Sequence, residues 1–411
     1  MSAAHGGMPK SSWIFPALAV ALFAAVTIAH YDFTPSPEGL VFAAVLLVIL
    51  FGTVFAAVHH AEVIAHRIGE PYGTLLLTLS VTIIEVALIA TIMLGEKDVP
   101  TLARDTVFAV VMIVCNGLVG VCVFIGGLHY REQDVQVSGA NLYLSVLFTM
   151  ATITLILPNF TLTTPGPVYS EAQLEFVSVV TILLYGVFLY TQTSRHRDYF
   201  VRTEDVSGVD DPAAVHVSVD VKGRLFVDGT EVAISELTAK LKEAADTRIA
   251  PGEHVVEPIS NRLLALSITL LLVSLLAVVL LSKKFSLVVD AATAAIGAPP
   301  AFAGVVVALL ILLPESVAAV SAARKNDLQK SINLALGSSL ATIGLTVPAV
   351  AAAAFVLDKQ LVLGLNEQNT VELLLTFVLS MLTFGTGRTN ILFGLVHMVV
   401  FAVFLFLVFV P

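Results

Sequence analysis

The chain has 411 residues, a formal net charge of -10, and a composition that is 57% hydrophobic and only 13% charged, with a mean hydropathy of +0.93. A water-soluble domain is nearer half apolar and a quarter charged, so a soluble fold is excluded and nothing points to nucleic acid as a partner. The negative charge must be read by location, because an ionisable side chain left inside a membrane span is costly.

Runs of about twenty mainly apolar residues are what a bilayer core demands of a helix. The first half supplies them at 14-30, 39-58, 73-94, 106-128, 141-158 and 174-192, and the second at 263-282, 301-322, 331-357, 371-386 and 389-409. The chain therefore reads as an all-α integral membrane protein of about eleven transmembrane helices. The first run, after Lys10, is short enough for a signal peptide; it reads as a retained span, and its removal would leave ten spans with the same argument. Cys115 and Cys122 share the fourth run, and a helix holds residues seven apart roughly 10 Å from each other, too far for a disulfide.

Orientation follows from Lys and Arg in short loops. With the N-terminus cytoplasmic, the inner segments hold Lys10, Arg67, Arg131, Arg324, Lys325, Lys330 and Arg388, against Lys97, Arg104, Lys283, Lys284 and Lys359 outside. This predicts a multi-pass protein of the inner (cytoplasmic) membrane with the C-terminus outside.

The chain divides into an N-terminal segment with the first helix (1-38), a five-helix repeat (39-194), a polar insert (195-262) and a second five-helix repeat (263-411). An odd number of helices per repeat makes the two repeats run oppositely through the bilayer, the arrangement of transporters whose sites lie at the midplane between the halves. The insert holds thirteen acidic against nine basic residues. Its VHVSVDVKGRLFVDG alternates like two strands around a Lys222-Gly223 turn and ISELTAKLKEAADTR is helix-like, predicting a small strand-strand-helix module on the cytoplasmic side. Its acidic group Glu204, Asp205, Asp210 and Asp211 lacks the EF-hand spacing and reads as solvated linker.

Each half carries a lone carboxylate near the centre of its second helix, Glu85 in LLLTLSVTIIEVALIATI and Glu315 in VVVALLILLPESVAAVSAA. Neither span contains Lys or Arg. A charged carboxylate at bilayer depth costs on the order of 3 kcal/mol, so each acid requires a proton or a bound cation. A site satisfied by either can exchange one for the other. The neighbouring donors are oxygens: the hydroxyls of Ser80, Thr82, Ser338, Ser339 and Thr342 and the amide of Asn116. Pro314 removes one helical hydrogen bond and leaves the Leu310 carbonyl available. Oxygen-only sets suit hard ions, calcium above all, whereas transition metals prefer imidazole or thiolate. The hydroxyls taken singly are equally well read as helix-packing groups.

His59, Glu62 and His66 lie on one face where the second run stops; they read as an interfacial face, with a proton relay to the site as the alternative. Glu70, ahead of Pro71 and the Glu85 helix, either attracts cations or favours the helix N-terminus. Glu372 and Arg388 read as span ends.

Taken together, AHRIGEPYGTLLLTLSVTIIEVALI, RDTVFAVVMIVCNGLVGVCVFIGG, LLILLPESVAAV, NLALGSSLATIGLTVP and FGTGRTNILFG resemble the bacterial Cha-type calcium (sodium, potassium)/proton antiporters of the calcium/cation antiporter superfamily. The resemblance covers about residues 40-200 and 260-410. It implies an eleven-span fold of two inverted repeats, Glu85 and Glu315 as alternately protonated and cation-binding acids, and Asn116 and Gly337-Ser338-Ser339 lining the same cavity. The superfamily often places Asn three residues before each acid, where this chain has Thr82 and Leu312. That departure keeps sodium or potassium exchange open beside calcium.

The expected function is secondary exchange of calcium for protons, with sodium or potassium as alternatives and a cation channel as a further one. No His-Glu-x-x-His or Gly-x-Ser-x-Gly pattern of an intramembrane enzyme occurs, so no enzymatic activity and no resident cofactor is expected. The expected partners are inorganic cations, protons and lipid, with an oligomer open.

Overall fold

The computed structural model describes residues 8–30, 33–34, 36–69, 72–94, 99–200, 217–219, 225–227, 230–232 and 260–410. Eleven helices run through the described residues: α1 (Ser11–Ile28), α2 (Pro37–Ile68) and α3 (Tyr72–Met93), then α4 (Leu102–Tyr130), α5 (Val137–Phe160) and α6 (Glu171–Arg195). After the insert come α7 (Asn261–Ala295), α8 (Ala301–Ala323) and α9 (Leu328–Val356), then α10 (Glu367–Gly385) and α11 (Ile391–Phe409). Ten are long and apolar enough to cross a bilayer; α10 is the exception, and it carries the buried polar residues Glu372, Thr376, Ser380 and Thr383.

Local sequence sets the helix starts. Ser36 accepts from the Gly39 amide with Pro37 at the first helical position of α2, Ser170 and Gln173 close a capping box on α6, and Asp327, Asn366 and Asn390 cap α9, α10 and α11. Each occupies backbone N–H groups that a helix leaves unpaired at its start. Gly69 ends α2 at φ 78, a conformation that favours glycine.

Helix packing reveals the internal symmetry. α2 packs along α7, and α5 along α10. α4 lies against α8 as α9 lies against α3, and α11 lies against α4 as α6 lies against α9. These contacts map onto one another when α2–α6 is exchanged for α7–α11, the pattern of a two-fold between halves of opposite sense. α1 stands outside this scheme and packs on α2 and α7, its Phe15 and Ser12 carbonyls accepting from Thr53 Oγ1 and pairing with His60 Nε2 at 3.3 and 2.9 Å.

Paired loops fix which helix ends share a side. β1 (Glu132–Asp134), between α4 and α5, pairs antiparallel with β5 (Arg388–Asn390), between α10 and α11. On that side Tyr130 Oη donates to the Arg324 carbonyl at 2.9 Å and Gln133 Nε2 to Asn326 Oδ1 at 3.0 Å. At the other end Arg104 Nη1 reaches the Gly364 carbonyl at 3.1 Å and Asn159 Nδ2 the Leu365 carbonyl at 2.6 Å. Together with the β1–β5 pairing, these contacts require alternate crossing by α4, α5, α9 and α10.

Two helices run beyond the predicted spans. α2 has 32 residues and α7 has 35, roughly 50 Å each by the helical rise and well past a hydrocarbon core of about 30 Å. Lys283 and Lys284 therefore lie within α7, where a short loop was expected, and His59, Glu62 and His66 sit on continuous helix. In the insert, β2 (Val217–Val219), β3 (Leu225–Val227) and β4 (Thr230–Val232) form an antiparallel sheet in that order. β4 is a third strand that the alternation did not indicate; the expected helix and the acidic group 204–211 lie outside the described residues.

The core is centred on α4, 83% of whose central stretch is buried against 17% for α11. Large apolar side chains face outward instead, Phe176, Leu183 and Val187 on α6 and Phe406 on α11 being more than half exposed. In water such a surface would drive association; in a bilayer it is the lipid-facing surface.

Candidate functional site

The two intramembrane acids face a shared interior. Glu85, on α3, is 1% exposed, and its Oε2 accepts hydrogen bonds from Thr346 at 2.7 Å and Thr342 at 3.2 Å, both on α9. Glu315, on α8, lies within electrostatic reach of Glu85 and of Glu62 on α2. One carboxylate oxygen of each acid, Glu85 Oε1 and Glu315 Oε2, is buried without a hydrogen-bond partner. Neither acid pairs with Lys or Arg among the described residues. A buried carboxylate oxygen with nothing to accept from is costly, and a proton or a cation removes the cost.

The backbone that presents these groups is not plain α-helix. Thr342–Thr346 is a π-helical segment inserted in α9, and Ile113–Leu118 one in α4. Such segments re-aim side chains and recur at functional positions. Here the α9 segment turns Thr342 and Thr346 onto one carboxylate oxygen. Thr346 went unnoticed in the sequence, although it lies four residues beyond Thr342 and so on the same helical face.

The other predicted residues fall into two groups. Ser339 is buried on α9 with its Oγ unpartnered, Ser338 beside it is half-buried, and Thr82 is buried one turn from Glu85. Leu310 and Pro314 are buried within α8, whose helix continues unbroken through the proline. Ser80 instead donates back to the Leu76 carbonyl at 2.8 Å, the packing role of a small hydroxyl. His59 is half-buried with its ring edge-on to His60 at 5.5 Å, while Glu62 and His66 are exposed. Of the three, only Glu62 is close enough to act electrostatically on Glu315. Glu70 lies outside the described residues.

Asn116 departs from the expectation. Its amide sits in the α4 π-segment, fully buried, but Nδ2 donates to Thr376 Oγ1 at 2.8 Å and Oδ1 pairs with His397 Nδ1 at 3.1 Å. No hydrogen bond joins it to either acid. Glu372 corrects a second reading: it is no span end but a 7% exposed residue inside α10 with Oε1 unpartnered. It begins a stripe, Glu372, Thr376, Ser380 and Thr383, that is buried throughout. The sequence held the signal in the spacing of four, four and three residues and in a histidine centred in the last apolar run, since an intramembrane ionisable residue is a functional candidate by default. Arg388 keeps its place as a span end, exposed in β5 beside Glu132 and Asp134 at 3.8 and 3.3 Å.

Comparison with known proteins agrees with this architecture. The family model described as sodium/calcium exchanger protein matches residues 38–194 and 266–410, leaving out α1 and the insert. The putative ionic transporter y4hA of Sinorhizobium fredii is 42% identical over 405 residues, covering 98% of this chain and 97% of that protein. The sodium-potassium/proton antiporter ChaA of Escherichia coli is 35% identical over 404 residues, covering 97% of this chain and 96% of its own. Among solved structures, native YfkE matches with a TM-score of 0.63 at 16% identity, over 97% of this chain and 100% of that one. The H+/Ca2+ exchanger CAX matches with a TM-score of 0.58 at 14% identity, over 97% and 89% respectively. These two likenesses establish a shared fold.

Proposed function

The chain belongs to the sodium/calcium exchanger protein family, and from that premise we propose that it is a cation/proton antiporter whose transported cation is calcium. The observation that carries the proposal is the acid pair: one carboxylate per inverted half, Glu85 buried and Glu315 partly buried, without a basic partner among the described residues, each with a buried, unpartnered oxygen. Such a site holds either protons or a hard cation. The hydroxyls of Thr342, Thr346 and Ser339 and the Leu310 carbonyl supply further oxygens. Glu62, exposed and electrostatically coupled to Glu315, draws cations from the cytoplasmic water towards the pair. In the cycle, calcium is held between deprotonated Glu85 and Glu315, the two halves rock to expose it outward, and protons on both acids return the emptied site.

A second reading, sodium or potassium exchanged for protons at the same two acids, is favoured by the likeness to the sodium-potassium/proton antiporter ChaA. Proton movement evoked by calcium, sodium or potassium in proteoliposomes decides between them. Calcium-evoked, saturable flux supports the first reading; a response confined to sodium or potassium keeps the exchanger and changes its cargo. Cation flux without proton movement would overturn both readings in favour of a channel.

The Lys and Arg distribution supports a cytoplasmic N-terminus and a cytoplasmic β1–β5 side. Lys325 and Lys359 are exposed on opposite sides of the helix bundle, and Cys115 and Cys122 are buried and unpaired. An impermeant maleimide should label the Lys359→Cys variant in intact cells and the Lys325→Cys variant only after permeabilisation. The reverse pattern would invert the topology.

A further inference from the structure

The π-segments of α4 and α9 lie in helices equivalent under the internal symmetry, yet they are used differently. In α9 the segment delivers Thr342 and Thr346 to Glu85, the acid of the opposite half. Exchange of the halves sets the α4 segment against Glu315 in the same way, because α4 packs on α8 as α9 packs on α3. Its polar side chain is Asn116, but Glu315 Oε2 remains unpartnered. The amide is engaged instead by α10 and α11.

Both hydroxyls in that engagement also have other acceptors: Thr376 Oγ1 lies 3.4 Å from Met112 Sδ, and Thr383 Oγ1 lies 2.9 Å from the Leu379 carbonyl. Thr376 Oγ1 donates its single proton to the Glu372 carbonyl at 2.8 Å, so towards Asn116 it only accepts. The structure sets Nδ2 towards Thr376 and Oδ1 towards His397 Nδ1, which donates to it in the matching tautomer. The other ring nitrogen, Nε2, lies 2.9 Å from Thr383 Oγ1 on α10. Asn116 is thereby held at both ends by residues that touch neither acid.

We propose that Thr376 and His397 are positioning residues that park Asn116 away from Glu315, and that Asn116 leaves them to give its amide oxygen to the cation at Glu315. The parked and delivered positions compete, so the grip of α10 and α11 on Asn116 sets the cation affinity. The proposal rests on the antiporter reading and adds to it a determinant of affinity that lies outside the acid pair.

The test is a mutant cycle on the purified full-length chain. Binding of calcium, sodium and potassium, each added alone, is measured by calorimetry alongside the KM of cation-evoked proton flux. Thr376→Val and His397→Leu should each tighten binding of the transported cation and lower its KM by about fivefold to tenfold, the order expected for one buried hydrogen bond released. In an Asn116→Ala background neither substitution should move either quantity, and His397→Gln, which keeps a donor, should stay near wild type. Should His397→Leu fail to fold, Thr376→Val, of nearly the same shape, carries the cycle alone. Unchanged or weakened binding in Thr376→Val, or the same shift with and without Asn116, would overturn the parking role while wild-type flux upholds the antiporter. A wild-type chain that neither binds nor exchanges any of the three cations removes the antiporter reading, and this proposal with it.

Discussion

Glu85→Gln and Glu315→Gln should each reduce cation-evoked proton movement to background while the protein still folds. Glutamine keeps the volume of the side chain and one carbonyl oxygen. What it removes is the charge that attracts a cation and the oxygen that takes up a proton, so both halves of the exchange fail together. Because affinity at oxygen sites follows the count of charged ligands and spans decades, loss of one of two carboxylates should weaken cation binding on the order of 100-fold. Folding should survive, since each substitution takes a potential charge out of a buried place. At Glu85 the carbonyl of a glutamine still accepts from Thr342 and Thr346, which lie 3.2 and 2.7 Å from the present carboxylate oxygen. Flux assays in proteoliposomes, with size-exclusion profiles of the same preparations, check both parts. Normal exchange in either variant would take that acid out of the mechanism, whereas loss of folded protein would give it a structural role instead.

These acids were legible in the sequence because the bilayer makes an isolated carboxylate conspicuous: any charge inside an apolar run needs a reason. The same contrast exposed the eleven helices, and even α10, the least apolar of them, was placed by its run of hydrophobic residues. Partnership was less legible. Thr346 was passed over because a hydroxyl on a membrane helix is as often a packing group as a ligand, so its place four residues beyond Thr342 did not by itself single it out. Asn116 was assigned to the acids' cavity, but α10 and α11 hold it through contacts more than 250 positions distant in the chain. Glu372 was misread for a physical reason: one residue past the start of an apolar run, hydropathy cannot distinguish a charge at the interface from one buried against a neighbouring helix. The lengths of α2 and α7 were underestimated likewise, because helix that leaves the hydrocarbon loses its apolar signature without ending.

The packing of α11 on α4 yields the second large effect. Within a bilayer, helices gain nothing from hiding apolar surface from one another, so close association depends on small residues that let backbones approach. At the crossing a Cβ placed on Gly394 would stand 2.5 Å from the Phe124 amide nitrogen and 2.9 Å from the Gly120 carbonyl oxygen. Both obstacles are backbone and cannot rotate aside. Gly394→Val should therefore force the helices apart and destabilise the protein by about 2 kcal/mol or more, the upper part of the range for overpacked sites. Gly186 on α6 provides the control, since nothing lies within 4 Å of its Cβ position and it is exposed on the lipid-facing surface; Gly186→Val should be close to neutral. Thermal unfolding of the two variants in detergent, followed by size exclusion, measures the difference. Equal stability would mean that α11 does not approach α4 so closely. A large loss at Gly394 alone would tie the crossing to function as well, because His397 lies one turn further along α11, and displacing that helix loosens its hold on Asn116.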